Sequence, residues 1–221
     1  MITGIIPARY ASTRFPGKPL VDIHGKSMLQ RVYEQCLKSK LDRLLVATED
    51  ERIASHVKEF NGEVILTASS HISGTDRIAE AVYKLNIQDD GIVVNIQGDE
   101  PFINPEDINL LTACFEKQKT QIATLVKKID SIETLENPHN PKVVLNANKE
   151  ALYFSRAPIP HLKDFKKDEW LNHHTFFKHI GIYGFRTFVL KEINQLPSSL
   201  SEKNEGLEQL RWLENGYRIQ T

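Results

Sequence analysis

Between Arg9 and Pro19 the chain reads Arg9-Tyr10-Ala11-Ser12-Thr13-Arg14-Phe15-Pro16-Gly17-Lys18-Pro19, with Arg9, Arg14 and Lys18 spaced by small residues directly after an apolar run. Guanidinium forks, an ammonium and free backbone N–H groups are what hold the adjacent anionic oxygens of a nucleoside triphosphate. Gly17 permits positive φ, while Pro16 and Pro19 stiffen the turn. One cation alone here would more often be a solvated surface residue. Cations clustered after a buried strand favour an anion site, because α/β folds bind ligands at the carboxyl ends of their strands. Two familiar phosphate motifs are excluded. A dinucleotide fingerprint needs spaced glycines where this loop has only Gly17, and the first glycine of a P-loop ending in Gly25-Lys26-Ser27 would fall on Leu20. That tripeptide reads as a turn and helix start.

A second constellation is Gln97-Gly98-Asp99-Glu100-Pro101, after the run Ile92-Val93-Val94-Asn95-Ile96. A hard carboxylate at such an edge suits Mg²⁺. Aspartate is also a common turn former or helix cap, but Asn104 already supplies the cap of the next helix, and Glu100 reads as a solvated neighbour. In Ser73-Gly74-Thr75-Asp76-Arg77 the hydroxyls read first as helix caps, with Arg77 within reach of a pocket. His179, Tyr183, Glu208 and Gln209 are polar groups in or beside apolar segments, and the residues alone leave each open as a satisfied or surface side chain. His173-His174 lacks the spacing and partner carboxylate of a metalloprotease motif. Cys36 and Cys114 read as buried free thiols, and Trp170 and Trp212 as packing residues.

The elements that must position these groups alternate between short apolar runs and amphipathic stretches. Strands are predicted over 2–8, 43–48, 63–66, 92–96 and 122–127, and helices over 28–38, 50–60, 75–85 and from Asn104 to about Lys117. This is the β-α-β rhythm of a largely parallel sheet. After residue 127 the rhythm changes. Strands at 142–146, 151–155 and 176–185 are joined by polar segments, which predicts one domain over 1–221 with an extension at about 140–186. The stretch Pro158-Ile159-Pro160-His161 and the charges of 163–169 read as an exposed loop. A last helix over 202–214 precedes a strand at 217–220.

Charge and composition narrow the class. The 28 basic and 29 acidic residues of this 221-residue chain give a net charge of −1, so no global field draws it to nucleic acid or an anionic membrane. The N-terminal apolar run lacks a basic leader and is too short to span a bilayer, so cytoplasmic residence is the expectation.

Six ordered segments, IIPARYASTRFPGKPL, SGTDR, VVNIQGDEP, ALYFSRAPIP, HIGIYGFR and LEQLRWLENG, together resemble the CMP-Kdo synthetases, the 3-deoxy-manno-octulosonate (Kdo) cytidylyltransferases. The first and third are shared more loosely with other sugar nucleotidyltransferases. The resemblance implies a Rossmann-like nucleotidyltransferase fold with a β-rich sugar-binding and dimerisation lobe, a homodimer, and a Mg²⁺-dependent reaction of CTP with Kdo that serves lipopolysaccharide synthesis. By position it implies that Arg9, Ser12, Arg14 and Lys18 hold the triphosphate and that Ser73, Thr75, Arg77 and Gln97 line the nucleotide. It likewise places Mg²⁺ on Asp99, and Gln97, Arg156, His179, Tyr183, Glu208 and Gln209 around the sugar acid. Lys18, Arg9 and Asp99 would carry the catalytic charge. Two departures stand out. Lys163 follows the SRAPIP segment where relatives often place arginine, exchanging a fork for a point charge. The family's GVDTPEDL-type segment, with a second metal-binding aspartate, would fall beyond Thr221. The rival expectations are a cytidylyltransferase for sialic acid or an amino-substituted Kdo, and a silent CTP-binding module.

Overall fold

In a computed structural model that describes residues 1–11, 15–71 and 73–221, the β-branched run at the N-terminus forms β1 (Ile2–Ala8). Ser12 and Arg14 lie outside the described residues. The chain continues through β2 (Asp22–Ile23), β3 (Lys26–Ser27), α1 (Met28–Cys36), β4 (Arg43–Thr48), α2 (Glu51–Glu59), β5 (Val64–Leu66), α3 (Gly74–Lys84), β6 (Ile92–Asn95) and α4 (Pro105–Ala113). Then follow β7 (Ile122–Lys128), α5 (Ile132–Glu136), β8 (Lys142–Leu145), β9 (Ala151–Ser155), α6 (Trp170–His173), β10 (Phe177–Arg186), α7 (Thr187–Ile193), α8 (Leu200–Glu205), α9 (Gln209–Glu214) and β11 (Ile219–Gln220).

The helix starts follow from their caps. Ser27, Asp50, Ser73 and Asn104 each accept a backbone N–H from the first turn of α1, α2, α3 and α4, and Ser73 and Asp76 complete a reciprocal capping box. β4, β1 and β6 are parallel neighbours at the centre of a sheet ordered β11-β7-β10-β6-β1-β4-β5. Their sequences are apolar at consecutive positions because both faces are covered. Ile5, Leu45 and Val93 pack on the side of α3, α7 and α9, while Ile6, Val46 and Val94 pack on the side of α1, α2 and α4. Successive side chains of a strand point to opposite faces, so one apolar run serves two cores.

β10 runs antiparallel to both β6 and β7, inserted between them. Its first residues, Phe177 and Lys178, also pair with β8, which forms a hairpin with β9. The extension expected at about 140–186 therefore shares its last strand with the main sheet. Ile129, Leu135, Trp170 and Phe176 form a small separate cluster beneath the exposed loop of 156–169.

One further feature differs from the sequence reading, and two were not part of it. The helix expected over 202–214 is two helices, because Gly206 adopts φ 61° and ends α8 in a left-handed cap. α7 follows β10 without a turn residue between them. The turn of Gly25 belongs to a β2–β3 hairpin, with His24 at φ 51° and Gly25 at φ 82°, the double positive φ of a two-residue hairpin turn.

The central place of β10 makes a stability prediction. Phe185 is fully buried and its ring meets that of Trp212 edge-on at 5.3 Å, whereas Phe188 is 37% exposed. Phe185→Ala is expected to lower unfolding free energy by about 3–5 kcal/mol and Phe188→Ala by less than about 1 kcal/mol, read from urea midpoints at constant m-value.

Candidate active site

β1 and β6 pair in parallel with Ile5 opposite Asn95, so the segments leaving their carboxyl ends emerge at the same sheet edge. The first carries Arg9 and Lys18; the second carries Gln97 and Asp99. Lys18 Nζ donates to Asp99 Oδ2 at 2.5 Å, with both side chains partly exposed. They line an open cleft of about 550 Å³ together with Arg9, Ser73, Arg77 and Gln97. Pro19 of the basic loop lines it too, as do His71, Phe15 and Pro7, which were not singled out in the sequence. For His71 the only available signal was its place two residues before the Ser73 cap.

Arg77 is buried on α3, where its guanidinium donates to Thr67 Oγ1 at 2.6 Å and pairs with Glu49 at 2.7 Å. Burial holds it below the ordinary arginine range, and Arg9 adds to that effect from the cleft side. Glu49 balances Arg77, and Arg9 adds a second guanidinium on the cleft side, the kind of group that binds an anion. The neighbouring His71 ring bonds Glu80, whose carboxylate also accepts from the Ala68 N–H and pairs with Lys84.

A second group of polar side chains sits beside the cleft. β10 carries an irregularity between Ile180 and Tyr183. The Gly181 carbonyl exposed by it accepts from Gln97 Nε2 at 3.2 Å, and the Ile182 carbonyl accepts from Thr124 Oγ1 at 2.7 Å. With its proton given to Ile182, the Thr124 oxygen is the acceptor for His179 Nε2, 3.0 Å away. His179 is thereby held as the Nε2–H tautomer, and burial pulls its pKa down to about 4. Its ring lies 5.2 Å from that of Tyr183, which meets Trp212 edge-on at 5.0 Å. Glu208 accepts from Thr75 Oγ1 at 2.7 Å and from Arg211 at 3.0 Å, and burial raises its carboxyl above the usual range. Tyr183 Oη and Gln209 Nε2 are buried without a partner among the described residues. Buried polar atoms without partners are costly, so each is a candidate for a partner outside the chain.

The structure thus brings Arg9, Lys18, Ser73, Arg77, Gln97 and Asp99 to one cleft, and groups Thr75, His179, Tyr183 and Glu208 beside it, with Gln209 following Glu208 in the chain. Arg156 stands apart from the cleft lining. It donates to the carbonyls of Glu205, Pro138 and Gly206 at 2.6, 2.9 and 3.2 Å, fixing the α8–α9 corner to β9. Lys163 is exposed on the loop before α6.

Residues 3–219 match the Cytidylyltransferase family. The chain belongs to that family. Among relatives, this cytidylyltransferase is 59% identical to the 3-deoxy-manno-octulosonate cytidylyltransferase of Parabacteroides distasonis, over 98% of this chain and 87% of that protein. It is 50% identical to the enzyme of that name in Francisella tularensis subsp. novicida, over 97% and 86% of the two chains. A solved CMP:2-keto-3-deoxy-manno-octonic acid synthetase complexed with CTP superposes with a TM-score of 0.92 at 42% identity, over 100% of this chain and 88% of that one. A cytidylyltransferase from Leptospira borgpetersenii, 16% identical with a TM-score of 0.62 over 99% of this chain and 74% of that one, shares the fold.

The depressed pKa of His179 gives this cytidylyltransferase a pH signature. Its imidazole has an ordinary value of 6.5 and a folded value of about 4, so below 6.5 the unfolded chain takes up a proton that the folded chain refuses. The stability this confers is complete above pH 6.5 and is lost as pH falls toward 4, up to about 3 kcal/mol. His179→Gln should flatten that segment of the stability-versus-pH curve, measured by urea unfolding at steps between pH 7 and pH 4.

Proposed function

We propose that the protein joins CTP to Kdo, forming CMP-Kdo and releasing diphosphate, with the Lys18–Asp99 cleft as the triphosphate site. The observation that carries the reading is this cleft, in a chain that matches Kdo cytidylyltransferases over nearly its whole length.

In the reaction the anomeric hydroxyl oxygen of Kdo attacks the α-phosphorus of CTP. The new O–P bond forms as the bond to the β-phosphate oxygen breaks, diphosphate leaves with that electron pair, and the hydroxyl proton passes to solvent or to diphosphate. Charge accumulates on the phosphate oxygens, so catalysis is positioning plus cationic stabilisation, for which Arg9 and Lys18 are placed. The neutral His179, the Tyr183 hydroxyl, the Glu208 carboxyl and the Gln209 amide would orient the sugar acid by its hydroxyls, and Gln97 bridges the two halves of the site. The role of Arg156 would be met through the corner it holds, or by the N–H groups that corner leaves over.

Mg²⁺ fits the site. Asp99 is an exposed carboxylate with one oxygen on Lys18, and among the described residues no cluster of three or more His, Cys, Asp or Glu surrounds it. That donor set suits an ion held by one or two carboxylates and completed by substrate phosphates. Bound there, Mg²⁺ would neutralise phosphate charge and draw electron density from the reacting phosphorus. We further propose a homodimer working in the cytoplasm on the route to lipopolysaccharide. Among the described residues no helix is long and apolar enough to cross a membrane.

The test is diphosphate release from CTP and Mg²⁺ with Kdo, sialic acid, an amino-substituted Kdo or no sugar, in the wild-type chain and Asp99→Ala. Release that requires Kdo and falls at least about a hundredfold in Asp99→Ala is expected, in keeping with loss of a charge-stabilising group. Preference for another sugar acid would reassign the substrate, and CTP binding with no release for any sugar would identify a binding module.

A further inference from the structure

Two cations of the cleft, Arg9 and Lys18, stand immediately outside the ends of one loop. Arg9 precedes Tyr10 and Lys18 follows Gly17, and the Gly17 N–H donates to the Tyr10 carbonyl at 2.9 Å, closing the loop at its neck. The spacing of Arg9 and Lys18 is therefore set by this neck. Gly17 has φ 73° and caps the short 3₁₀ turn Lys18–Leu20. A Cβ on Gly17 would lie 3.2 Å from the Tyr10 ring, so the ring already fills the space beside the neck.

Tyr10 is held by a residue from another element. The Arg52 guanidinium lies over the Tyr10 ring, 3.3 Å from its centroid. Arg52 is in turn fixed by Asp50, the α2 cap: Nε donates to Oδ1 at 2.9 Å and Nη2 to Oδ2 at 2.6 Å. Asp50 also accepts the Arg52 backbone N–H at 2.9 Å. A fork–fork pair presents the guanidinium plane in one orientation, which is what stacking on an aromatic face requires. Arg52 is exposed and fills no part of the core, whereas Tyr10 is half-buried and its ring packs against the cluster of Ile6, Val46 and Val94.

We infer that Arg52 is a positioning residue for the nucleotide: through its stack on Tyr10 it holds the neck of the loop and so the spacing of Arg9 and Lys18 toward the triphosphate. It acts through Tyr10 and Gly17, and among the described residues its guanidinium meets Asp50 and Tyr10 and none of His179, Tyr183 or Glu208, so its loss should weaken CTP and leave Kdo untouched. Arg52→Lys keeps a cation near the ring without the planar fork, and Tyr10→Phe keeps the ring face that the cation needs.

The inference rests on the reading of the cleft as the CTP site. The experiment measures KM for CTP and for Kdo, kcat, CTP affinity by calorimetry and Tm for the wild-type chain, Arg52→Ala, Arg52→Lys, Tyr10→Phe and Tyr10→Leu. Expected for Arg52→Ala and Tyr10→Leu is a KM for CTP raised about fivefold, the scale of an exposed cation–π contact, with the same loss in calorimetric affinity. KM for Kdo should stay within about twofold, Arg52→Lys should lie between wild type and Arg52→Ala, and Tyr10→Phe should match wild type. An Arg52→Ala chain with unchanged CTP constants, or with a lowered Tm as its only change, would overturn the inference. So would equal rises in both KM values. Wild-type turnover with unaltered CTP constants in the variants would sink this inference alone, whereas a wild-type chain that binds no CTP would sink it together with the proposed function.

Discussion

Lys18 and Asp99 are 81 residues apart in sequence and meet at 2.5 Å because β1 and β6 are parallel neighbours whose carboxyl ends open on the same side of the sheet. The constraint is topological before it is electrostatic. Both strands are covered on two faces, so their registers are fixed by two cores at once, and a slip of one residue would send Ile5 and Val93 to the wrong helices. An exposed ion pair contributes little to stability. Under the proposed function its importance lies in where it stands: an ammonium and a carboxylate at the mouth of a cleft are the two charges that a metal–triphosphate complex would rearrange, the phosphates taking the lysine and the metal taking the aspartate.

The antiparallel β10 supplies the second half of the site. A regular strand there would satisfy its carbonyls within the ladder, but the irregularity between Ile180 and Tyr183 turns two of them toward side chains. Gln97 and Thr124 take up those carbonyls, and Thr124 thereby sets the tautomer of His179. The cleft and the polar cluster behind it are mechanically one object, joined by Gln97 on one side and by the Thr75–Glu208 bond on the other. A neutral imidazole can hydrogen-bond a ligand without adding charge to the site, and the Glu208 carboxyl, raised by burial, is balanced by Arg211.

Much of the parallel half was legible because its signals are local. The bounds of β1 and β4 follow from short, largely apolar runs, and the starts of α3 and α4 from the Ser73 and Asn104 caps. What was not legible depended on partners distant in sequence. A buried antiparallel strand reads like a buried parallel one, so nothing in the sequence of β10 said that it enters the sheet between β6 and β7. Residues 202–205 are all polar and the apolar positions begin at Leu207, and the φ of Gly206 divides α8 from α9 where the sequence was read as one helix. Among the site residues, the basic loop and Asp99 declared themselves by charge and spacing. His179, Tyr183, Glu208 and Gln209 needed the family resemblance, because a lone polar residue in an apolar segment looks the same whether or not it faces a ligand. Arg156 was assigned to the sugar acid by resemblance, while its guanidinium here is spent largely on the carbonyls of Glu205, Pro138 and Gly206.

That the cleft is a triphosphate site, and not merely a nucleoside pocket, is the claim on which the rest depends. Calorimetric affinities of CTP and CMP in the presence of Mg²⁺, for the wild-type chain and Lys18→Ala, address it most directly. The account predicts that CTP binds at least about tenfold tighter than CMP, since charge-assisted contacts to the outer phosphates add to the base and ribose, and that Lys18→Ala narrows the gap. Equal affinities for CTP and CMP in the folded wild-type chain would contradict it.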